Sequence, residues 1–294
     1  MLAGLFMVTL AAASWGTWSL FLRPTGLPGT VTAPLIFLVI ALAPLPFTWR
    51  LPRVRWDRAT VALLLANGAF NAVNMATFFG ALSHTTVAIA VLTHYLAPIL
   101  VALAAPRIDG VANPAAGRAA VVALLGLVIV LEPWHAPPAG AVFGAVLGLI
   151  SAVCYAGNVF TVRRVAARIG AVRAMSYHSL VAAVVLLPFA IGDLGAVTLP
   201  DLGLLLAGGA TLGALSGVMF VVGLVRVGSA RAAVLTFAEP LVAVAVGALA
   251  WGEALHPLAA VGGAMILGAG IHVARGSAHH DDAAARDDRD ARVQ

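Results

Sequence analysis

Residues 81–98 read ALSHTTVAIAVLTHYLAP, and residues 223–240 read GLVRVGSARAAVLTFAEP. The second stretch lies on the first without a gap, at a constant offset of 142 residues, and Pro98 falls on Pro240. Both stretches sit inside long apolar runs. A chain that carries one membrane segment twice is most simply explained as a transporter built by duplication.

Working outward, composition places the whole chain in a bilayer. Of 294 residues, 62% are hydrophobic and only 10% are charged, and the mean hydropathy is +1.01. A soluble domain has no use for so much apolar surface. A membrane-crossing helix needs roughly 20 apolar residues. Ten such runs can be cut, at about 2–22, 31–49, 60–82, 87–105, 117–133, 141–162, 172–191, 202–224, 230–251 and 257–274. The first has no basic residue ahead of it and no cleavage pattern behind it, so it reads as a transmembrane helix and not as a secretory signal. The fold class expected is therefore an all-α integral membrane protein of ten helices.

A single cysteine, Cys154, precludes an intramolecular disulfide and reads as a small core residue. From residue 275 the chain turns to His279, His280, Asp281, Asp282 and a mixed Asp/Arg run, which reads as a disordered tail spanning 275–294.

Orientation follows from arginine placement. Arg50, Arg53, Arg55 and Arg58 follow the second run; Arg163, Arg164, Arg168 and Arg173 follow the sixth. Arg107 and Arg118 bracket the fourth loop, Arg226 and Arg231 the eighth, and Arg275 follows the last run. The odd loops carry Glu132, Asp193, Asp201 and Glu253, with Arg23 as the basic exception. The positive-inside bias then puts the even loops and both termini in the cytoplasm. The pI near 10.6 reflects this topology, and no nucleic acid is expected as a partner because the arginines are spread over loops.

Five helices per half is an odd number, so the halves 1–135 and 136–274 enter the membrane in opposite senses. That is an inverted-topology repeat, an architecture of secondary transporters. The same offset carries Asn67, Asn71, Asn74 and Phe78 onto Gly209, Gly213, Ser216 and Phe220, each set lying on one helix face. The face is polar in the first half and small in the second.

These features resemble the EamA-type family of the drug/metabolite transporter superfamily. The resemblance rests on Gly228-Ser229-Ala230, Ala232-Ala233, Glu239-Pro240, Trp251-Gly252-Glu253 and the glycines Gly262, Gly263, Gly268 and Gly270. The first half departs from the pattern, with Ala97 in place of Glu239 and Asp109-Gly110 where Gly-Glu is expected. It spans about residues 5–272 and implies a permease without a cofactor. Family members export amino acids, other metabolites and drugs.

Among single residues, Glu239 lies roughly 13 Å below the start of its helix at 1.5 Å per residue, near the bilayer centre. It carries a proton, meets a polar solute, or stays protonated as helix glue. Pro98 and Pro240 each remove a helical hydrogen bond, so they mark hinges or static kinks. Asn67, Asn71 and Asn74 either line a hydrated cavity or bond across helices. His94 and Tyr95 precede Pro98 and are candidate substrate-cavity residues; His94 is also a second candidate for titration, or a structural histidine. Trp15, Tyr155 and Asn158 are candidate cavity walls, Ser216 either borders the cavity or lets another helix approach, and Trp18 is either a wall or an interfacial anchor. Gly140, Gly144 and Gly148 form a packing ridge.

No metal-binding, nucleotide-binding or nucleophile motif is present, so neither an enzyme, a metal nor a cofactor is expected. The reading is a multi-pass permease of the bacterial inner membrane, in contact with lipid, as a monomer or a homodimer. It moves a small organic solute, outward, by alternating access. The alternatives are an uptake or exchange carrier without proton coupling and an integral-membrane enzyme or assembly factor.

Overall fold

Lipid offers backbone amides no hydrogen-bond partner, so apolar runs of this length satisfy their own backbone as helices. A computed structural model describes residues 1–110, 113–134, 141–254 and 257–274. Among these, nine helices are long and apolar enough to cross a membrane. They are α1 (Leu2–Thr25), α2 (Gly29–Thr48), α3 (Arg58–His84), α4 (Val87–Ile108), α5 (Pro114–Leu131), α6 (Ala141–Ile169), α7 (Ala171–Phe189), α8 (Leu199–Val227) and α9 (Ser229–Trp251). A shorter apolar helix, α10 (Leu258–Ala274), completes the set. Gly140, Arg275 and the expected tail at 275–294 lie outside the described residues.

The helices α3, α6 and α8 run past their apolar stretches. Lipid thickness limits the apolar run, while helical hydrogen bonding continues until a residue stops it. Gly170 at φ +86° stops α6, and Gly228 at φ +85° stops α8. Both turns need a left-handed backbone that side-chain-bearing residues rarely adopt. At the other ends, polar side chains supply caps: Asp57 Oδ1 accepts from Thr60 N at 2.6 Å, and Asn113 Oδ1 accepts from Ala116 N at 3.0 Å. Thr198 and Asp201 form a capping box at the start of α8.

The halves interdigitate. The principal partners are α3 with α6 and α7, α1 with α8, α2 with α7, and α4 with α6 and α9. Close approach needs small residues, and a Cβ on Gly16 of α1 would fall 2.5 Å from the Glu239 carbonyl oxygen of α9. Exposed Leu2, Phe6, Leu103 and Leu249 cover the outer surface, where lipid is the solvent.

The loops rich in arginine share one end of the bundle. Arg163 pairs with Asp109 at 2.9 Å, Arg168 with Asp57 at 3.5 Å, and buried Arg173 donates to the Thr48 and Leu51 carbonyls, each at 3.0 Å. Arg23, the basic exception among the odd loops, has its own counterion at the opposite end. It meets Glu253 at 2.6 Å and lies over the Trp251 ring.

Candidate functional site

Two helices are interrupted in matching places. In α4, Val87–His94 is followed by Ala97–Ile108, with the break at Tyr95 and Leu96. In α9, Ser229–Leu235 is followed by Ala238–Trp251, with the break at Thr236 and Phe237. Each break lies just ahead of its proline, because Pro98 and Pro240 cannot donate to the preceding turn. The two breaks touch: the Tyr95 and Phe237 rings, which occupy equivalent positions in the 142-residue register, have centroids 5.4 Å apart. In the second half Gly209–Leu215 of α8 is a π-helix, whereas its counterpart in α3 is an ordinary α-helix.

Between the breaks lies a cavity of about 10 Å³ lined by His94, Tyr95, Ala97, Pro98, Tyr155, Thr236 and Glu239. This is the space of about one water molecule. Tyr95, from α4, and Tyr155, from α6, line it together with Glu239, from α9. No Arg or Lys lines the cavity. Among the described residues, no other Asp or Glu sits in the central turns of a crossing helix. Aromatic rings close the surroundings: His94 lies 4.9 Å from Phe78, 5.4 Å from Tyr95 and 5.3 Å from Tyr155.

A chain of hydrogen bonds fixes His94. Ser151 Oγ donates to Asn74 Oδ1 at 2.7 Å, and His94 Nδ1 lies 2.8 Å from the same Ser151 Oγ. A hydroxyl has one proton to give, so with that proton on Asn74 the His94 Nδ1–H must donate to Ser151. Nε2 is then the unprotonated nitrogen of the ring. The close approach of α6 to α4 here depends on Gly148, whose Cβ would collide with the Thr93 side chain.

The sequence candidates separate into two groups. His94, Tyr95, Tyr155, Pro98 and Glu239 line the cavity, and Asn74 reaches it through Ser151. The others lie elsewhere. Asn67 is fully buried between α3 and α6 and donates to the Asn158 carbonyl at 3.2 Å and to Thr161 Oγ1 at 2.9 Å. Asn158 thus contributes its backbone; its own Nδ2, like Asn67 Oδ1, is buried without a hydrogen bond. Asn71 is half-buried on the same face. Trp15 donates to the Leu212 carbonyl at 2.8 Å, inside the π-helix, and packs on Phe220 at 5.0 Å. Ser216 meets Ser14 at 2.8 Å and donates to the Thr211 carbonyl at 3.1 Å. Trp18 packs against Gly208 in α8, and Pro240 is buried behind Glu239.

Sequence reading missed Ser151 and Thr236. A signal for Ser151 was available: Ser151, Tyr155 and Asn158 repeat the i, i+4, i+7 spacing of Asn67, Asn71 and Asn74. Thr236 carried no such signal, because its polar atom matters only where α9 breaks.

Outside the membrane, Asp57 is held below the usual carboxylate range, chiefly by the Thr60 backbone N–H, with a smaller contribution from Arg168.

Comparison with known proteins agrees with this architecture. The EamA-like transporter family model matches residues 142–274. An uncharacterized transporter of Archaeoglobus fulgidus is 32% identical over 271 residues, covering 91% of this chain and 94% of the relative. The pseudopaline exporter CntI of Pseudomonas aeruginosa is 29% identical over 228 residues, covering 76% of this chain and 78% of the exporter. A solved crystal structure of another protein superposes with a TM-score of 0.80 at 21% identity, covering 92% of this chain and 97% of that one, which establishes the shared fold. The chain is a multi-pass membrane protein and belongs to the EamA-like transporter family.

Proposed function

We propose that the protein is a secondary transporter of the bacterial inner membrane that exports a small organic metabolite, of the amino-acid or drug-like kind, by alternating access. The observation that carries this reading is the meeting of two broken helices around a cavity that holds one mid-membrane carboxyl. Interrupted helices at the midplane of an inverted repeat are where secondary transporters place their solutes. A cavity of about 10 Å³ is far too small for an amino acid. Passage therefore requires α4 and α9 to move about their breaks, with Pro98 and Pro240 as hinges. The two repeats span 1–135 and 136–274, with the arginine-rich end and both termini in the cytoplasm. Export is the direction of the CntI relative.

Glu239 is the coupling group in this reading, because a carboxyl at such depth costs a few kcal/mol and persists where it serves a pathway. Solute flux into and out of proteoliposomes tests the whole reading, with amino acids and cationic drugs as the panel. Flux driven by a pH gradient and abolished by Glu239→Gln supports a proton-coupled exporter. Equal, gradient-independent flux in both proteins makes the chain a facilitator and Glu239 structural. Chemical turnover without flux leaves the membrane-enzyme alternative.

A further inference from the structure

We propose that the cavity at the helix breaks is a subsite for the primary ammonium group of an amine-bearing solute. This deepens the transport reading above and rests on it for the word solute, though not for the binding itself.

Three properties of the site select that head group. The first is polarity. Glu239 presents a carboxyl, and His94, with Nδ1 committed to Ser151, offers Nε2 as its free acceptor. A primary ammonium is donor-only, with three N–H groups to place. A carboxylate or phosphate head would find Glu239 against it and no Arg or Lys among the lining residues. The second is the wall. Rings of His94, Tyr95 and Tyr155 line the cavity, and Phe78 and Phe237 stand behind them. Aromatic faces attract a cation within about 6 Å. The third is size. A volume of about 10 Å³ admits one water-sized group, which an –NH3⁺ head matches and a trimethylammonium head exceeds.

Ser151 and Asn74 act as positioning residues. Without the Ser151 acceptor the His94 ring is free to turn its N–H into the cavity, where it would oppose a cation instead of accepting from it. The polarity of the subsite is therefore set one hydrogen bond away from it, across α3, α4 and α6.

The test is ligand-dependent thermal stabilisation of the purified full-length protein at neutral pH. The probes are 2-phenylethylamine, its N,N,N-trimethyl derivative and 2-phenylethanol. Stabilisation by the primary amine alone is expected, lost in Glu239→Gln and weakened by about tenfold in apparent affinity in Ser151→Ala, the loss of roughly one charge-assisted contact. Glu239→Asp, which keeps the charge, retains the preference for amine over alcohol even if its own unfolding temperature shifts. Equal stabilisation by amine and alcohol, or none by the amine, overturns the subsite. So does an unchanged amine-to-alcohol ratio in Ser151→Ala, for the positioning role. Flux separates the two readings: amine-specific stabilisation with no flux of any solute overturns transport and leaves the subsite standing. Flux of solutes that lack an amine, with no stabilisation by the amine, does the reverse.

Discussion

The two helix breaks share a backbone and differ in chemistry. At the first, His94, Tyr95 and Ala97 surround the turn; at the second, the equivalent positions hold Thr236, Phe237 and Glu239. The interruption itself follows from a proline three residues downstream of Tyr95 or Phe237, so both halves make it. The side chains around it have diverged until each half supplies what the other lacks, a hydrogen-bonded histidine on one side and a carboxyl on the other. The third helices tell a similar story. Asn67 and Asn74 in α3 bond across to α6, while Gly209 and Gly213 in α8 let Val39 and Ile40 of α2 approach, and the backbone there loosens into a π-helix.

The sharpest way to break this comparison is to exchange the residues at positions 97 and 239. Glu239→Gln is expected to lower gradient-driven flux about 100-fold, the scale of one lost proton-transfer group. Ala97→Glu gains nothing in return, because position 97 is only 1% exposed. An uncompensated charge there is expected to cost about 3–5 kcal/mol in detergent unfolding. Recovery of flux in the double exchange would mean that the halves are chemically interchangeable.

Gly16 and Asn158 occupy equivalent positions at the 142-residue offset but not equivalent space. Gly16→Ala is expected to cost about 1–3 kcal/mol by overpacking against α9. Asn158→Ala keeps the carbonyl that Asn67 uses and should cost well under that. Comparable losses in the two would remove the asymmetry.

The prolines come next. Pro240→Ala is expected to slow flux several-fold more than Pro98→Ala, since Pro240 follows Glu239 directly. Hydrogen exchange at the Phe237 and Tyr95 amides would show whether either break heals into continuous helix.

Asn67→Leu is expected to cost about 0.6 kcal/mol, the average for an interhelical hydrogen bond in a membrane protein, and to leave flux intact. Lost flux with unchanged stability would return Asn67 to the transport path.

The smallest effect lies at the arginine-rich end. Because the Asp57 carboxyl is held below its ordinary value of 3.8 in the folded protein, its stabilising contribution is present above that value. It fades as pH falls through the lowered value. Asp57→Ala should therefore melt slightly below wild type near neutrality and coincide with it in strong acid. A difference that persists at low pH would assign the effect to lost packing.

Much of this was legible in one dimension. Hydropathy located each apolar helix of crossing length among the described residues, because lipid demands a continuous apolar stretch of set length. The offset located the breaks ahead of Pro98 and Pro240, because each proline removes a donor from its own helix. Arg23 was also visible as an exception to the charge pattern, but its partner was not. Glu253 lies far away in sequence, and only the meeting of α1 and α9 brings the pair within 2.6 Å.

The asparagine stripe shows where reading from the chain stopped. A one-dimensional pattern places Asn67, Asn71 and Asn74 on one face, and a face can meet a neighbour or a cavity. Which of these each amide meets depends on how α6 lies across α3. The same holds for Trp15, whose indole bonds to a carbonyl 197 positions away. The sequence by itself determined the crossing helices and the interruptions ahead of Pro98 and Pro240, since those arise from local backbone chemistry and from lipid. Only the tertiary structure decided that His94, Tyr155 and Glu239 share one small space, with Ser151 bonded behind His94, because contacts between helices join residues whose separation along the chain carries no signal.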